Sequence, residues 1–306
     1  MRAMPDGSGT GVLVVGAGPA GCAAAIQCRR LGLRPILVEA SGVPGGLVRE
    51  ARRIENLPAL EAPVTGPEFA RRLAAALTRS GIEPMPWEVR SVTPLHGGGF
   101  LSETANGPLE SAAVILATGT RPVGFDIAGE HPPLLRSFLD LPPELRGLRI
   151  AVIGGGEAAF DYALHASDSS AEVELLVRDG VPSAAGELPA EAGTRPSIRI
   201  RYITTVVEAR AEGHRTVLRL ISGGRDLCVS VDAVLAAVGR QRTLPGVAGG
   251  FESPGGGRVD TSIPGLFLAG DAALGALGQA GSAIGQGLTA AEAAAGYLQG
   301  GGTHPC

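Results

Sequence analysis

Two glycine-rich turns constrain the fold of this chain more than any other feature of its sequence. Each turn follows an apolar run with the length of a buried strand and precedes a segment with the length of a helix. The first turn is GAGPAG at residues 16–21, and the second is GGGEAA at residues 154–159. A strand, a glycine turn and a helix in this order form the phosphate-binding part of a dinucleotide site. Because the chain carries the pattern twice, it predicts two such sites.

The first turn has every part of a dinucleotide-binding βαβ unit. Gly16 permits the tight turn, Gly18 lets a pyrophosphate approach the backbone, and Gly21 lets the helix pack on the strand. The helix start offers free N–H groups and the positive end of a dipole to the phosphates. A second strand ends at Glu39, where a carboxylate accepts ribose hydroxyls and repels a 2′-phosphate. This turn therefore predicts an FAD or NAD site.

Composition and charge exclude several other functions. A chain of 306 residues with 44% hydrophobic and 18% charged residues is typical of a globular protein of about two domains. The net charge is −4 and the basic residues are scattered, so neither a nucleic-acid partner nor a membrane-binding face is predicted. All 26 basic residues are arginines, which excludes a Schiff-base lysine and a P-loop lysine.

The termini and cysteines predict a cytoplasmic protein. The first ten residues lack the apolar segment of a signal peptide, and no apolar run is long enough for a membrane span. The four cysteines, Cys22, Cys28, Cys228 and Cys306, form no CxxC pair and no metal-ligand spacing. We therefore expect reduced thiols and no metal site.

Further motifs stand in a recognisable order along the chain. They are GGLVREARRIENLPA (45–59), VTGPEFARRLAAALTRSG (64–81), AAVILATGTRP (112–122), GLFLAGDAALG (265–275) and GQAGSAIGQGLTAAEAAAGYL (278–298). Together with the two turns, they resemble the low-molecular-weight thioredoxin reductases, which are class II pyridine nucleotide-disulfide oxidoreductases. The resemblance runs over nearly the whole chain.

The resemblance implies an α/β fold of two Rossmann-like three-layer dinucleotide-binding domains, the second inserted into the first. The FAD-binding domain would be discontinuous, at residues 1–121 and 244–306, and the NAD(P)H-binding domain would be residues 122–243. Two short chain crossings would then permit domain rotation. A homodimer is also implied.

The same resemblance assigns the flavin site residue by residue. Gly46, Leu47 and Asn56 would lie at the isoalloxazine, and Asp271 at the ribitol. Gln279 and Ala280 would bring a helix start to the N1–C2=O edge, where reduced flavin carries negative charge. Taken alone, Asn56 and Asp271 are equally typical of turns or caps. The predicted FAD contacts are Gly16, Gly18, Pro19, Ala20, Gly21, Glu39, Ala40, Gly46, Leu47, Asn56, Val89, Thr118, Gly119, Gly270, Asp271, Gln279 and Ala280.

The second turn differs from the family pattern. Its predicted nicotinamide-nucleotide contacts are Gly154, Gly156, Glu157, Ala158, Ala159, Arg178 and Gly239. Where the family has a histidine and arginines that hold the 2′-phosphate of NADPH, this chain has Val177, Arg178 and Asp179. One arginine beside an aspartate is a poor phosphate clamp. We therefore favour NADH over NADPH; the alternatives are weak nucleotide binding or a surface turn without a ligand.

The redox-active CxxC of the family is absent. It belongs between Gly129-Glu130 and the second turn, where this chain has no cysteine. A flavin-to-disulfide relay needs that thiol pair, so thioredoxin reduction by the usual route is not expected. Bacillithiol-disulfide reductase-like relatives place a cysteine where this chain has Ala20. Cys306 is either a flexible thiol or part of a frayed terminus.

Three hypotheses of function remain from the sequence. The first is an FAD-dependent NAD(P)H oxidoreductase that passes electrons from flavin to a small-molecule or protein acceptor, such as ferredoxin, flavodoxin, a quinone or a small oxidised metabolite. The second is a flavin oxidase or dehydrogenase of a small substrate with a vestigial nucleotide site. The third is a non-catalytic FAD-binding module. His131 is a candidate proton donor near the flavin, or an idle loop histidine.

Overall fold

The structure is a computed structural model that describes residues 11–58, 60–184, 186–253, 255–275 and 278–300. Its helices and strands follow the predicted strand–turn–helix order. In chain order they are β1 Gly11–Val15, α1 Pro19–Arg30, β2 Arg34–Val38, α2 Gly66–Arg79, β3 Val89–Pro94, β4 Phe100–Thr104, β5 Gly107–Ser111, β6 Ala113–Leu116, β7 Thr120–Pro122, β8 Arg149–Ile153, α3 Glu157–Asp168, β9 Glu172–Leu176, α4 Glu187–Thr194, β10 Ile198–Arg201, β11 Thr204–Glu212, β12 Arg215–Ser222, β13 Arg225–Val231, β14 Ala233–Ala236, β15 Arg240–Arg242, β16 Gly246–Val247, β17 Leu266–Leu268, α5 Asp271–Leu274 and α6 Ala280–Gln299.

The chain divides into two compact units. Unit 1 contains the described residues up to Arg49, Arg53–Arg121 and those from Arg242 onwards, and unit 2 contains Glu50–Arg52 and Pro122–Gln241. The chain therefore crosses between the units four times, because three residues near position 50 leave unit 1 and return to it. The sequence had suggested two crossings, since it gave no sign of this short excursion.

Unit 1 is built on a parallel sheet with the strand order β17-β6-β1-β2. Alternate residues of β1 enter two different cores because successive side chains of a strand point to opposite faces. Val12 and Val14 pack with the residues of α1 and α6. Leu13 and Val15 pack with residues of a second sheet, formed by the antiparallel strands β3, β4 and β5. The short strand β16 pairs with β3 at the edge of this sheet. The unit thus has three layers.

Close packing of α1 on α6 depends on one glycine. A Cβ atom built on Gly287 would lie 2.1 Å from the carbonyl oxygen of Ala20 and 3.0 Å from the Cβ of Ala23. No side chain fits in that gap, so the backbone of α6 at Gly287 packs directly against Ala20 and Ala23 of α1. The same contact places the start of α1 beside the helix that begins at Ala280.

Unit 2 repeats the three-layer plan. Its parallel sheet has the order β10-β9-β8-β14. On one face Ile150 and Val152 pack with α3, and on the other Ala151 and Ile153 pack with the antiparallel sheet β11-β12-β13. In both units the first strand is buried on both faces, which explains why its sequence is a continuous apolar run.

The segment Glu50–Arg52, which we call the 50–52 excursion, is embedded in unit 2. The Arg52 side chain is only 6% exposed, and its guanidinium forms two hydrogen bonds to Glu191 and one to Asp168. The hydrogen bonds from Arg52, and then the one from Arg195, lower the pKa of Glu191 from 4.5 to about 2. Glu50 accepts hydrogen bonds from the hydroxyl of Tyr162 and the backbone N–H of Phe138. Burial, and then the Glu50 carboxylate, raise the pKa of Tyr162.

Gly287→Ala tests the packing of α1 on α6. Because the new methyl group would overlap the carbonyl of Ala20, we expect a loss of about 2 kcal/mol of stability. Gly296→Ala is the matched control on the same helix, since a Cβ there meets no atom within 4 Å. That change should stabilise the helix by roughly 0.5–1 kcal/mol. Thermal unfolding of both variants measures the difference, and equal melting temperatures would contradict the packing described.

Candidate functional site

The glycine turn of unit 1 holds its backbone too close for side chains at two positions. Gly16 has a φ of +101°, and a Cβ atom built on it would lie 2.5 Å from the carbonyl oxygen of Ala117. A Cβ on Gly21 would lie 1.8 Å from the carbonyl oxygen of Gly16. Gly16 therefore shapes the turn and Gly21 lets α1 pack on it, as the spacing predicted.

Gly18 differs because its surroundings are open. A Cβ atom built there meets no atom within 4 Å, and its φ of −71° suits any residue. Gly18 is also the N-cap of α1, Pro19 follows it at the first helical position, and no side chain caps the helix. By contrast, the start of α2 is capped by the hydroxyl of Thr65. The uncapped N–H groups of α1 and the open space at Gly18 fit a bound pyrophosphate.

The Glu39 carboxylate lies at the same turn. One oxygen accepts the backbone N–H of Ala17 at 2.8 Å, and the other accepts the N–H and hydroxyl of Ser41 at 3.0 and 2.8 Å. The residue directly follows β2, and the neighbouring Ala40 is exposed. The carboxylate is thus held at the carboxyl edge of the sheet, where it can accept ribose hydroxyls.

Residues 45–46 fold over the glycine turn. The backbone N–H of Gly45 donates to the carbonyl of Ala17 at 2.8 Å. A Cβ atom on Gly46 would lie 3.1 Å from the Cα of Gly18, and the φ of +54° at Gly46 also favours glycine. Gly46 is exposed and Leu47 is half-buried. These two predicted contacts therefore lie beside the open position at Gly18.

The turn after β6 is tied to the C-terminal part of unit 1. The Thr118 hydroxyl donates to the carbonyl of Thr243, and the Thr243 N–H donates to the carbonyl of Gly119 at 3.1 Å. The role of Thr243 was missed from the sequence, because its only signal is a spatial neighbour 125 residues away. Gly119 has a φ of +64° and open space around it.

Asn56 and Gln279 come together, as residues of one site should. The side-chain amide of Asn56 donates to the amide oxygen of Gln279, the residue that precedes α6. No side chain caps the start of α6. Asp271 begins α5 after Gly270, whose φ is +68°, and its carboxylate lies beside Gly278.

Val89 and Ala20 contribute differently from the other predicted FAD contacts. Val89 is 9% exposed and its side chain belongs to the core between the parallel and antiparallel sheets. Ala20 is 4% exposed and lies under Gly270 and Gly287. Any ligand contact at these two positions would therefore involve the backbone.

The glycine turn of unit 2 has the same backbone geometry as the first. Gly154 has a φ of +149°, and a Cβ on it would lie 2.2 Å from the carbonyl oxygen of Ala237 and 3.1 Å from the Cβ of Ala159. Ala159 is fully buried, whereas Glu157 and Ala158 at the start of α3 are exposed. Gly156 is the N-cap of α3, and no side chain caps it. Gly239, at the turn after β14, has a φ of +127°.

The two turns differ at the position that follows the second strand. Glu39 follows β2, and Val177 follows β9. Val177 is 1% exposed, and one of its methyl carbons would lie 2.9 Å from a Cβ on Gly155. An apolar contact thus replaces the carboxylate-to-backbone bond of the first turn. Arg178 and Asp179 come next; their side chains are 81% and 68% exposed and lie 3.6 Å apart.

The loop after β9 returns to the second glycine turn. The Ser183 hydroxyl and the Ala184 N–H both donate to the carbonyl of Gly155, at 3.2 and 2.9 Å. The predicted contact Arg178 therefore lies on a loop that is fixed at its far end. Apart from Arg178, this loop brings no cation to the turn.

Two of the described cysteines, Cys22 and Cys28, are poorly suited to electron transfer. Cys22 and Cys28 are fully buried in the core of unit 1, and burial raises the pKa of each thiol to about 12. Thiols with such a pKa scarcely ionise at neutral pH, and the thiolate is the reactive form. Cys228 lies on β13 and is exposed. Cys306 lies outside the described residues.

His131 is engaged by its own loop. Its Nδ1 lies 2.7 Å from the carbonyl oxygen of Pro132, and its Nε2 lies 3.2 Å from that of Ile127. Both nitrogens therefore face backbone acceptors within unit 2, which favours the interpretation of an idle loop histidine. Within the described ranges, no group of three or more His, Cys, Asp and Glu residues could hold a metal ion. In the same ranges, every helix is too short or too polar to cross a membrane.

Two parallel-sheet units, each with an uncapped helix behind a glycine turn, define a protein with two dinucleotide-binding units. The chain belongs to the pyridine nucleotide-disulphide oxidoreductase family, whose sequence profile matches residues 10–287. The prediction of an oxidoreductase of the thioredoxin reductase-like class is thereby confirmed. The family implies FAD and a nicotinamide nucleotide as cofactors.

Individual relatives agree with this assignment. The chain is 32% identical to a bifunctional thioredoxin reductase/thioredoxin of Mycobacterium leprae, over 92% of this chain and 64% of that protein. It is 28% identical to NADPH-dependent thioredoxin reductase 3 of Arabidopsis thaliana, over 94% of this chain and 58% of that protein. The chain thus spans about six tenths of the length of these two relatives.

A solved structure confirms the predicted fold class. The thioredoxin reductase of Lactococcus lactis superposes with a TM-score of 0.84 at 24% identity, and the match covers 95% of this chain and 99% of that one. An α/β fold of Rossmann-like units therefore accounts for almost all of the chain. At this level of identity, the likeness concerns the fold alone.

Gly18→Val tests the first turn as a flavin site. Because the valine meets open space, we expect the chain to fold normally but to lose most of its bound flavin, whose pyrophosphate needs that space. Gly97→Val is the control, because a Cβ atom on Gly97 also meets no atom within 4 Å. Gly97 lies on a loop that is remote in sequence from the glycine turn. Flavin absorbance per chain and far-UV circular dichroism measure the two effects. Equal flavin content in both variants would disprove the assignment.

Proposed function

We propose that the protein is an FAD-dependent NAD(P)H oxidoreductase whose flavin passes electrons directly to an external acceptor, without a dithiol relay. The observation that carries the proposal is the state of the cysteines. The sequence has none from residue 29 to residue 227, and Cys22 and Cys28 are buried with raised pKa values. The family relay therefore has no equivalent among the described residues.

The geometry of unit 1 supports an FAD site. The residues that would hold FAD are the uncapped start of α1 for the pyrophosphate, Glu39 for the ribose, and Gly46, Asn56 and Gln279 for the isoalloxazine. When bound, FAD supplies a centre that accepts a hydride from a nicotinamide and donates electrons onwards. The uncapped start of α6 would stabilise negative charge at the flavin edge. We assign unit 1, predicted from the sequence as residues 1–121 and 244–306, to the FAD-binding domain, and unit 2, predicted as residues 122–243 and joined by the 50–52 excursion, to the NAD(P)H-binding domain.

The chemistry of the second turn supports NADH over NADPH. A 2′-phosphate is held best by bidentate cationic groups, and the loop after β9 contains Arg178 as its one basic residue, with Asp179 beside it. The carboxylate would repel a dianion, whereas it can accept hydrogen bonds from free ribose hydroxyls. One matching relative is named an NADPH-dependent thioredoxin reductase, so the proposed preference distinguishes this chain from that protein.

The proposed acceptor is a ferredoxin, a flavodoxin, a quinone or a small oxidised metabolite. The two relatives are named as thioredoxin reductases. Without a thiol pair, the flavin here would need an acceptor that takes electrons from it directly. We further propose a cytoplasmic homodimer, on the resemblance to this family.

A second candidate function rests on Val177. Because a buried valine stands where the first turn has Glu39, the nucleotide site of unit 2 lacks a ribose acceptor at that position. A flavin oxidase or dehydrogenase of a small substrate would have no use for a nucleotide in unit 2. A non-catalytic FAD-binding module would lack electron transfer altogether.

Anaerobic titration distinguishes these candidates. Under the main proposal, NADH bleaches the flavin absorbance band at about 450 nm as soon as the two solutions are mixed. The kcat/KM for NADH with an artificial acceptor should exceed that for NADPH. Asp179→Asn removes the repelling charge and should raise kcat/KM for NADPH; kcat/KM for NADH should fall, because the carboxylate that accepts the ribose hydroxyls is lost. Absence of bleaching by either nucleotide would select the second or third candidate, and a tenfold preference for NADPH would refute the nucleotide assignment.

Cysteine variants test the absence of a thiol relay. We expect Cys228→Ser and Cys306→Ser, alone and combined, to retain full NADH-driven reduction of ferricyanide and of the natural acceptor once it is found. Because no thiol takes part, iodoacetamide should also leave the activity unchanged. Loss of acceptor reduction with normal flavin bleaching would show that a cysteine carries electrons beyond the flavin, contrary to the proposal.

A further inference from the structure

Ile203 has a backbone conformation that its side chain opposes. Its φ is +50°, in the left-handed region, where a β-branched residue is a genuine outlier. The conformation is held by two backbone hydrogen bonds, from the Ile203 N–H to the carbonyl of Asp179 at 3.3 Å and from the Gly223 N–H to the carbonyl of Ile203 at 3.0 Å. Glycine or asparagine would adopt it with less strain. Strain of this kind is concentrated at functional sites.

The strained residue is also exposed. The Ile203 side chain is 61% exposed, and next to it in sequence Tyr202 is 38% exposed. A Cβ atom on Gly180 would lie 3.7 Å from one side-chain carbon of Ile203, and Val181, the residue after Gly180, is 79% exposed. We call Val181, Tyr202 and Ile203 the strand-end patch. Burial in a core therefore does not explain why an isoleucine is kept at this position.

The strand-end patch lies at the carboxyl edge of the sheet of unit 2. Ile203 follows β10 by two residues, and the adjacent Thr204 donates its N–H to the carbonyl of Val177 at the end of β9. In a sheet of this topology, β9 is the second strand of the nucleotide-binding βαβ unit. The adenosine half of a dinucleotide lies beyond the carboxyl end of that strand.

Polar recognition of the adenosine is weak at the same place. Val177 replaces the ribose-binding acid, and Arg178 and Asp179 are exposed and 3.6 Å apart. The base itself offers an aromatic face, which gains most from apolar contact. The groups at the end of β9 thus favour recognition of the adenine over recognition of the 2′-substituent.

We propose that the strand-end patch binds the adenine ring of the nicotinamide dinucleotide, with Ile203 as the main apolar contact. This inference rests on the proposed function. It adds that the protein gains affinity for the dinucleotide from contact with its adenine base. The strained backbone at Ile203 keeps a bulky aliphatic side chain exposed beside the loop that follows β9. Ile203 therefore contributes affinity for the adenine half of the dinucleotide.

Ile203→Asn tests the proposal without endangering the fold. Asparagine tolerates the left-handed conformation, so the variant should melt at the same temperature or higher. Loss of the apolar contact should weaken binding of 5′-AMP, measured by calorimetry on the holoprotein, by roughly tenfold. The KM for NADH should rise to a similar extent while kcat stays unchanged, because the residue touches only the adenosine half. Leu139→Asn is the matched control, since Leu139 is an exposed apolar residue of the same unit on another element, Phe138–Asp140.

Three results would overturn the inference. One is unchanged 5′-AMP binding in Ile203→Asn; another is an equal loss in Leu139→Asn. The third is unchanged 5′-AMP binding together with altered kinetics for the electron acceptor, which would assign the patch to a partner. Failure of the proposed function looks different: wild-type protein would bind 5′-AMP through Ile203, yet NADH would not bleach the flavin.

Discussion

The fold depends on one kind of contact, which occurs at the end of the first strand of each parallel sheet. There a glycine packs directly against the backbone carbonyl that follows a neighbouring strand. At Gly16 and Gly154 a side-chain atom would stand 2.5 and 2.2 Å from the carbonyl of the neighbouring strand end, so the chain must turn there without one. The turn ends each strand abruptly and starts a helix that no side chain caps. Both candidate binding sites, and the parallel sheets beneath them, follow from this arrangement.

The two turns share a backbone but differ in chemistry. In unit 1 the Glu39 carboxylate holds the turn through Ala17 and is available to a ribose, whereas in unit 2 Val177 packs on Gly155 and offers no acceptor. A polar, fixed site suits a cofactor that stays bound through many turnovers. The second turn, with fewer polar groups, suits a dinucleotide that would leave after each hydride transfer, because fewer hydrogen bonds have to break.

Local sequence predicted what depends on local backbone. The turns at 16–21 and 154–159 follow from the glycine spacing, whereas the nearness of Asn56 to the start of α6 was implied by the family resemblance and not by a local pattern. The remainder depends on distant residues. Nothing near Arg52 indicates that Glu191 will bind it, and the positive φ of Ile203 is imposed by partners at Asp179 and Gly223. Sequence patterns record periodicity and turns, but they do not record such long-range pairings.

The 50–52 excursion has a consequence for protein engineering. Unit 2 is not encoded by one continuous stretch, since residues 122–241 alone would lack Glu50 and Arg52. Excised or grafted onto a relative, that stretch would leave the Tyr162 hydroxyl without its carboxylate, and the acidic pair Asp168 and Glu191 would keep Arg195 but lose the guanidinium of Arg52. A chimera that exchanges nucleotide domains therefore has to carry three residues from the other side of the splice junction.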